Sequence, residues 1–195
     1  TEINNKKLDE LPGEEHAYIK KLHSDLVVTK AEQRKKNLLT DSEIDQEVSF
    51  IGNSTLCEEK LVLKVGAHVM CIVNSEDLYN GCQGVIHTFV NGYPLVHFYS
   101  GLKRVITPHM WKSDLIPGVA LEQIPLILSW AVTIHKSQGC TLDYAKVNIG
   151  KDIFEAGQSY VALSRLKNIE GLYIEHFCPE KIIVNVKVMK FYSEM

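Results

Sequence analysis

The sequence predicts a mixed α/β chain with an antiparallel β insert in its middle. Two patterns point there. Between positions 61 and 107, five short runs of strand period follow one another at roughly ten-residue spacing. The turn pairs Asn80-Gly81, Asn91-Gly92 and Ser100-Gly101 separate them. On both sides of that block, apolar residues recur at helical spacing instead. At 195 residues and 45% hydrophobic content, the chain can bury a core as one domain or two small ones.

Taken in order, residues 2–11 read as a short helix with Ile3, Leu8 and Leu11 on one side, ended by Pro12-Gly13. Positions 16–28 read as extended. Positions 29–40 are polar and rich in cations (Lys30, Arg34, Lys35, Lys36), which suits a phosphate-contacting loop or a merely solvated one. Thr40 or Asp41 caps a helix over 42–50, with Ile44, Val48 and Ile51 as its apolar side and Gly52-Asn53-Ser54 as its stop. The β candidates are 61–65, 68–73, 84–90, 95–99 and 103–107, a spacing that fits a small antiparallel barrel or meander. Trp111, with Pro108, either packs the mouth of that barrel or offers a ring to a base. Positions 124–128 read as strand and 129–138 as helix, with Gly139 at the left-handed stop. Val147-Asn148-Ile149 is a short central strand, 154–167 a helix, 168–171 a turn and 172–177 a strand. The stretch 179–192 is ambiguous, because Ile182-Ile183-Val184 favours strand whereas Val186, Met189 and Lys190 fit a final helix.

Bulk numbers exclude some classes. A net charge of -3 argues against a wholesale nucleic-acid surface. Positions 1–60 carry 9 Lys/Arg against 13 Asp/Glu, and positions 61–195 carry 12 against 11, so a DNA site would be local. Five cysteines (Cys57, Cys71, Cys82, Cys140, Cys178) form no Cys-x-x-Cys pair and are odd in number, which favours an intracellular, reducing compartment over a disulfide framework or a zinc site. Cys140 reads as a small apolar filler rather than a nucleophile. No apolar run reaches the ~18 residues of a membrane span. The chain does not open on Met, so its start is expected to be a fragment boundary.

Two runs carry the chemistry: Thr133-Ile134-His135-Lys136-Ser137-Gln138-Gly139, and Gly157-Gln158-Ser159-Tyr160-Val161-Ala162-Leu163-Ser164-Arg165. Each puts small and polar groups, with a cation, at the end of an apolar segment. Small residues let a ligand near the main chain, and hydroxyls, amides and cations donate to phosphate oxygens. In a helix Thr133 and Ser137, four apart, would share a face and present two hydroxyls to a phosphodiester. Gln158, Ala162 and Arg165 fall at i, i+4 and i+7. Arg165 alone would read as a surface cation at a helix end.

These runs resemble motifs V and VI of superfamily-1 helicases, closest in pattern to the petite-integration-frequency DNA helicases and their RecD-like relatives. Ile124-Pro125-Leu126 before the first run, Thr141-Leu142-Asp143 after it, and Gly171-Leu172 after the second belong to the same pattern. The run 63–70, with Asn80-Gly81 and Gly84-Val85, resembles the barrel inserted in the second motor domain of these helicases. The resemblance implies a RecA-like second motor domain over 1–60 and 119–195, its N-terminal part incomplete because the strand carrying motif IV would precede residue 1. It implies an inserted small antiparallel β-barrel of the Src-homology-three type over 61–118.

The implied function is that of the C-terminal part of an ATP-dependent 5′–3′ DNA helicase. Arg165 would be the arginine finger, Gln158 and Gly139 would lie beside ATP, and Thr133, His135, Lys136, Ser137 and Gln138 would track single-stranded DNA. ATP hydrolysis also needs a phosphate-cradling Gly-x-x-x-x-Gly-Lys-Ser/Thr loop and an acidic Mg²⁺ site. Neither is present, and Gly150-Lys151 lacks the upstream glycine and is followed by Asp152. ATP and Mg²⁺ are therefore expected in the full-length protein, on a preceding RecA-like domain, with none bound by this chain alone. The expected partners are that domain and single-stranded and forked DNA, with no membrane. A nucleic-acid or protein binding module without motor activity stays open as an alternative, as do an assembly role and a relaxase-linked, viral or transposon branch. Positions 29–60 depart most from the pattern of cellular members.

Overall fold

The predicted strands form, but they are dealt out among several sheets. A computed structural model describes residues 2–24, 41–116 and 119–194. Strands β4 (His68–Cys71), β5 (Gln83–Val90), β6 (Tyr93–Phe98) and β7 (Lys103–Val105) make an antiparallel meander. The free edge of β4 is taken by β10 (Leu126–Leu128), with Leu128 opposite Val69. Asn91 and Gly92, with φ of 50° and 80°, form the tight β5–β6 turn that an Asn-Gly pair favours. The five-stranded sheet is open rather than closed into a ring. The first of the five β candidates forms β3 (Lys60–Leu63), which lies outside this sheet and pairs with β1 (His16–Ile19). Two further strands were not legible in the sequence: β8 (His109–Lys112) and β9 (Val119–Gln123) join β2 (Lys21–Ser24) in a three-stranded antiparallel sheet.

Side-chain alternation places β4 and β10 between two cores. Val69, Cys71, Leu126 and Leu128 face a first cluster with Leu61, Leu63, Ile86, Val96 and Phe98. Met70, Ile72 and Ile127 face a second cluster with Ile116, Leu121, Cys140 and Leu142. Trp111 is partly buried against this second cluster, with His109 edge-on at 4.8 Å, so it packs the β8–β9 sheet and no barrel mouth. A third, small cluster joins Val147 and Ile149 of β11 (Ala145–Ile149) to Ile153 and to Ala162 of the helix Gln158–Leu163.

Helices depart from expectation where tertiary partners override local period. In α1 (Glu2–Asp9), Leu8 and Asn4 are buried while Ile3 is 60% exposed. Helix α2 (Asp41–Ser54) runs through Gly52 and Asn53 instead of stopping there. The cation-rich positions 29–40 lie outside the described residues. Positions 129–138, expected as a helix, are a loop with a turn over 134–139. The helix expected over 154–167 is only α3 (Gln158–Leu163), entered through Gly157 at φ 81°. It forms the crossover between β11 and the parallel strand β12 (Leu172–Phe177). The ambiguous final stretch is α4 (Val186–Ser193), whose Asn185 side chain caps Lys187 N–H at 2.9 Å. Among the described residues no helix is long and apolar enough to cross a membrane.

Candidate functional site

The 129–139 loop owes its shape to a residue far away in sequence. Asn4 on α1 is 7% exposed, and its amide donates to Leu128 O at 3.1 Å and Ala131 O at 2.8 Å. Its Oδ1 accepts from Ala131 N–H at 2.8 Å. These bonds use backbone groups that a helix would have needed. Further along, Thr133 O accepts from Ser137 N–H at 3.1 Å, a single α-type turn. Thr133 Oγ1 accepts from Lys136 N–H at 3.3 Å, and Ser137 Oγ donates to Ile134 O at 2.8 Å. Such local side-chain bonds compete with helix propagation.

The predicted group is thereby split. Thr133, His135, Gln138 and Gly139 are exposed, Lys136 is half-buried, and Ser137 is 4% exposed with its hydroxyl turned inward. Thr133 and Ser137 do not form one outward face of hydroxyls. Gly139 has φ +75°, and nothing lies within 4 Å of where its Cβ would be. Its glycine is required by the turn, not by crowding within this chain.

The second run is joined to the first through backbone pairing. Leu142 N–H donates to Arg165 O at 2.8 Å, and Lys167 N–H donates to Leu142 O at 3.1 Å. Lys167 Nζ bonds Asp143 Oδ1 at 2.5 Å, which raises the Lys167 pKa. Arg165 Nε donates to Val161 O at 3.1 Å and Nη2 to Ser164 Oγ at 3.0 Å. These two bonds orient a half-buried guanidinium and leave Nη1 free of hydrogen bonds among the described residues. Gln158 folds onto its own entry loop, where its Oε1 accepts from Phe154 N–H at 3.2 Å and Glu155 N–H at 3.3 Å. The stripe from Gln158 to Arg165 is therefore interrupted, with the Gln158 oxygen turned back onto its own loop. Burial pushes the Cys140 thiol up, against the pull of the neighbouring Arg165 charge. That argues for the filler role over the nucleophilic one.

Beside the loop lies a cavity of about 510 Å³, lined by Ile3, Trp130, Thr133, Val147, Asn148 and Glu175 among others. Gln83 also lines it, and its Oε1 is one of two buried side-chain atoms without a partner among the described residues. The other is Ser159 Oγ at the start of α3. Among the described residues, no group of three or more His, Cys, Asp or Glu could hold a metal ion.

The architecture is a mixed α/β chain in which two polar loops, one rich in hydroxyls and one bearing an arginine, are locked together at Leu142. No protein-family model matches it. Individual relatives do: across nearly its whole length, the chain is homologous to the Pif1 helicases. It is 36% identical over 200 residues to the ATP-dependent DNA helicase PIF1 of Xenopus laevis, covering 98% of this chain and 28% of that protein. The chain thus spans about a quarter of the length of the curated relatives it matches. The crystal structure of Pif1 helicase from Candida albicans superposes with a TM-score of 0.70 at 32% identity, over 98% of this chain and 46% of that one. Pif1 helicase from Bacteroides in complex with ADP-AlF3 and ssDNA gives 0.61 at 27% identity, over 99% and 42%.

Proposed function

We propose that this chain is the C-terminal part of an ATP-dependent 5′–3′ DNA helicase, supplying the arginine finger and part of the single-strand track. The observation that carries this reading is the backbone exchange between Leu142 and the pair Arg165 and Lys167. It makes one rigid piece of the loop offered to DNA and the cation offered to nucleotide. Homology to DNA helicases supports the same assignment, as does the Bacteroides relative, whose complex holds ADP-AlF3 and ssDNA together.

In this reading Thr133, His135, Lys136 and Gln138 contact the sugar-phosphate backbone. Ser137 acts from beneath by holding the turn, and Gly139 and Gln158 shape the nucleotide-side loops. ATP sits in a cleft between this domain and a preceding RecA-like domain. Mg²⁺ would be held by that domain, since the sequence lacks a phosphate-cradling loop and no carboxylate cluster among the described residues could hold a metal ion. Bound Mg²⁺ would neutralise charge on the β- and γ-phosphates. Arg165, already oriented by Val161 O and Ser164 Oγ, would stabilise the charge that develops on the transferred phosphoryl.

The finer fold assignment is a second RecA-like domain over 1–60 and 119–195, with a barrel of the Src-homology-three type over 61–118. The parallel pair β11–β12 supports it. Parallel sheets are normally buried on both faces, yet Tyr173, Ile174 and Phe177 of β12 are 61%, 47% and 57% exposed. More strands and covering helices from the preceding polypeptide would complete that sheet. The packing of Leu61, Leu63 and Ile86 in one cluster brings β3 over the open meander, as in a barrel that lacks its closing bonds. Single-stranded and forked DNA are the partners this reading assigns, and the free, partly buried thiols suit a reducing intracellular setting.

The test is single-strand-stimulated ATP turnover by the full-length parent, wild type against Arg165→Ala, beside a DNA-binding control. Turnover is expected to fall by about 10³-fold or more while DNA binding persists. Unchanged turnover would remove Arg165 from the chemistry and favour a binding module.

A further inference from the structure

Gly81 sits at the tip of the β4–β5 connection with φ +96°. Its α-carbon abuts the chain just past Gly139. A Cβ at Gly81 would lie 2.7 Å from Thr141 N and 2.9 Å from both Cys140 Cβ and Thr141 O. One residue earlier, Asn80 Oδ1 accepts from Cys140 Sγ at 3.2 Å. The turn is braced from its own side, because Asn80 N–H donates to Asn74 Oδ1 at 2.8 Å and Gly81 N–H to Cys71 O at 2.9 Å. Beyond the contact, Cys140 N–H donates to Ser137 O at 3.1 Å, and Leu142 carries the backbone bonds to Arg165 and Lys167. The antiparallel sheet, the end of the Thr133 loop and the Arg165 backbone are thus linked without a gap.

We propose that the Asn80-Gly81 turn is a positioning contact for Arg165, coupling the antiparallel sheet to nucleotide turnover. The proposal rests on the reading of Arg165 given above. Neither Asn80 nor Cys140 touches the reacting phosphate. They fix the segment 140–142, to which Arg165 and Lys167, just past α3, are hydrogen-bonded. The contact has two components of different kind. Gly81 supplies shape, since a turn whose α-carbon rests on backbone has no slack to absorb a displacement. Asn80 supplies direction, since its oxygen accepts a side-chain bond that crosses the seam at this turn. The Arg165 charge acting on the Cys140 thiol is a sign of the same proximity.

The experiment uses the full-length parent with Asn80→Ala, Cys140→Ala, Cys140→Ser and the double alanine variant, each also in an Arg165→Lys background. The readouts are DNA-stimulated kcat, KM for ATP and single-strand affinity. Asn80→Ala and Cys140→Ala should each lower kcat about fivefold, the double variant no further, with DNA affinity within about twofold. Cys140→Ser should keep most of the rate, because its hydroxyl still donates. In the Arg165→Lys background the further losses should vanish. Unchanged kcat, additive losses, or the same loss in the Arg165→Lys background would overturn the proposal, the last being what a merely structural role produces. The two readings separate cleanly. If Arg165→Ala leaves turnover intact, the arginine-finger reading falls and takes this one with it. If Arg165→Ala abolishes turnover while Asn80→Ala changes nothing, only the role of the turn falls.

Discussion

Asn4 shows how a single amide can decide the conformation of a loop more than a hundred residues away. It lies on the first helix, yet its three bonds are to Leu128 and Ala131. A periodic reading of positions 2–11 sees an exposed polar residue next to Ile3. The structure inverts the two, because two backbone carbonyls and one N–H at the head of the Thr133 loop need a partner more than Ile3 needs burial. Nothing local encodes this. Asn4→Ala is expected to destabilise the chain by about 1–3 kcal/mol, because it leaves those buried groups unpaired. Thermal unfolding of Asn4→Ala against wild type checks it, and an unchanged midpoint would mean that water replaces the amide. The left-handed conformation of Gly139, with φ +75°, was by contrast legible from residue type alone. Inward-facing Ser137 was not, since its hydroxyl bonds within its own turn.

Among elements, legibility followed how local the determinants were. Strands β4 to β7 were readable because alternation and glycine turns are written in consecutive residues. The partners of β3 and β10 were not, because pairing is settled by burial across the whole chain. Strands β8 and β9 were not, because neither His109-Met110-Trp111-Lys112 nor Val119-Ala120-Leu121-Glu122-Gln123 alternates apolar with polar residues. The helix expected over 129–138 failed for the reason seen at Asn4, compounded by β-branched Val132, Thr133 and Ile134, which propagate helices poorly.

Strand β4 also carries a pH response. His68 Nδ1 lies 3.0 Å from the Tyr99 hydroxyl, and burial lowers the His68 pKa. Burial likewise lowers that of His109 on β8. Both rings are therefore favoured neutral in the fold. Their contribution is intact above the unfolded histidine pKa of about 6.5 and is lost as pH falls below it toward the folded value. The unfolding midpoint should drop between pH 7.5 and 5.5, and drop less in His68→Gln. An equal drop in both would place the acid sensitivity elsewhere.

At the scale of the whole molecule, the 195 residues correspond to about a quarter of the length of the curated relatives they match. The isolated chain is expected to show no magnesium-dependent ATP turnover, because it has no phosphate-cradling loop to bring the nucleotide to Arg165. An ATPase assay on purified chain checks this, and turnover that disappears in Arg165→Ala would refute it. The three-part distribution of the strands has a separate consequence. Segment 61–118 supplies β3 to a sheet with β1, β4 to β7 to a sheet with β10, and β8 to a sheet with β9 and β2. Each of these sheets crosses a boundary of that segment. It is therefore stitched in at three seams and cannot be lifted out as a cassette. A graft of this segment between homologues would have to carry residues 16–24 and 119–128 with it, and a deletion that closed 60 onto 119 would leave β1 and β10 without a partner strand.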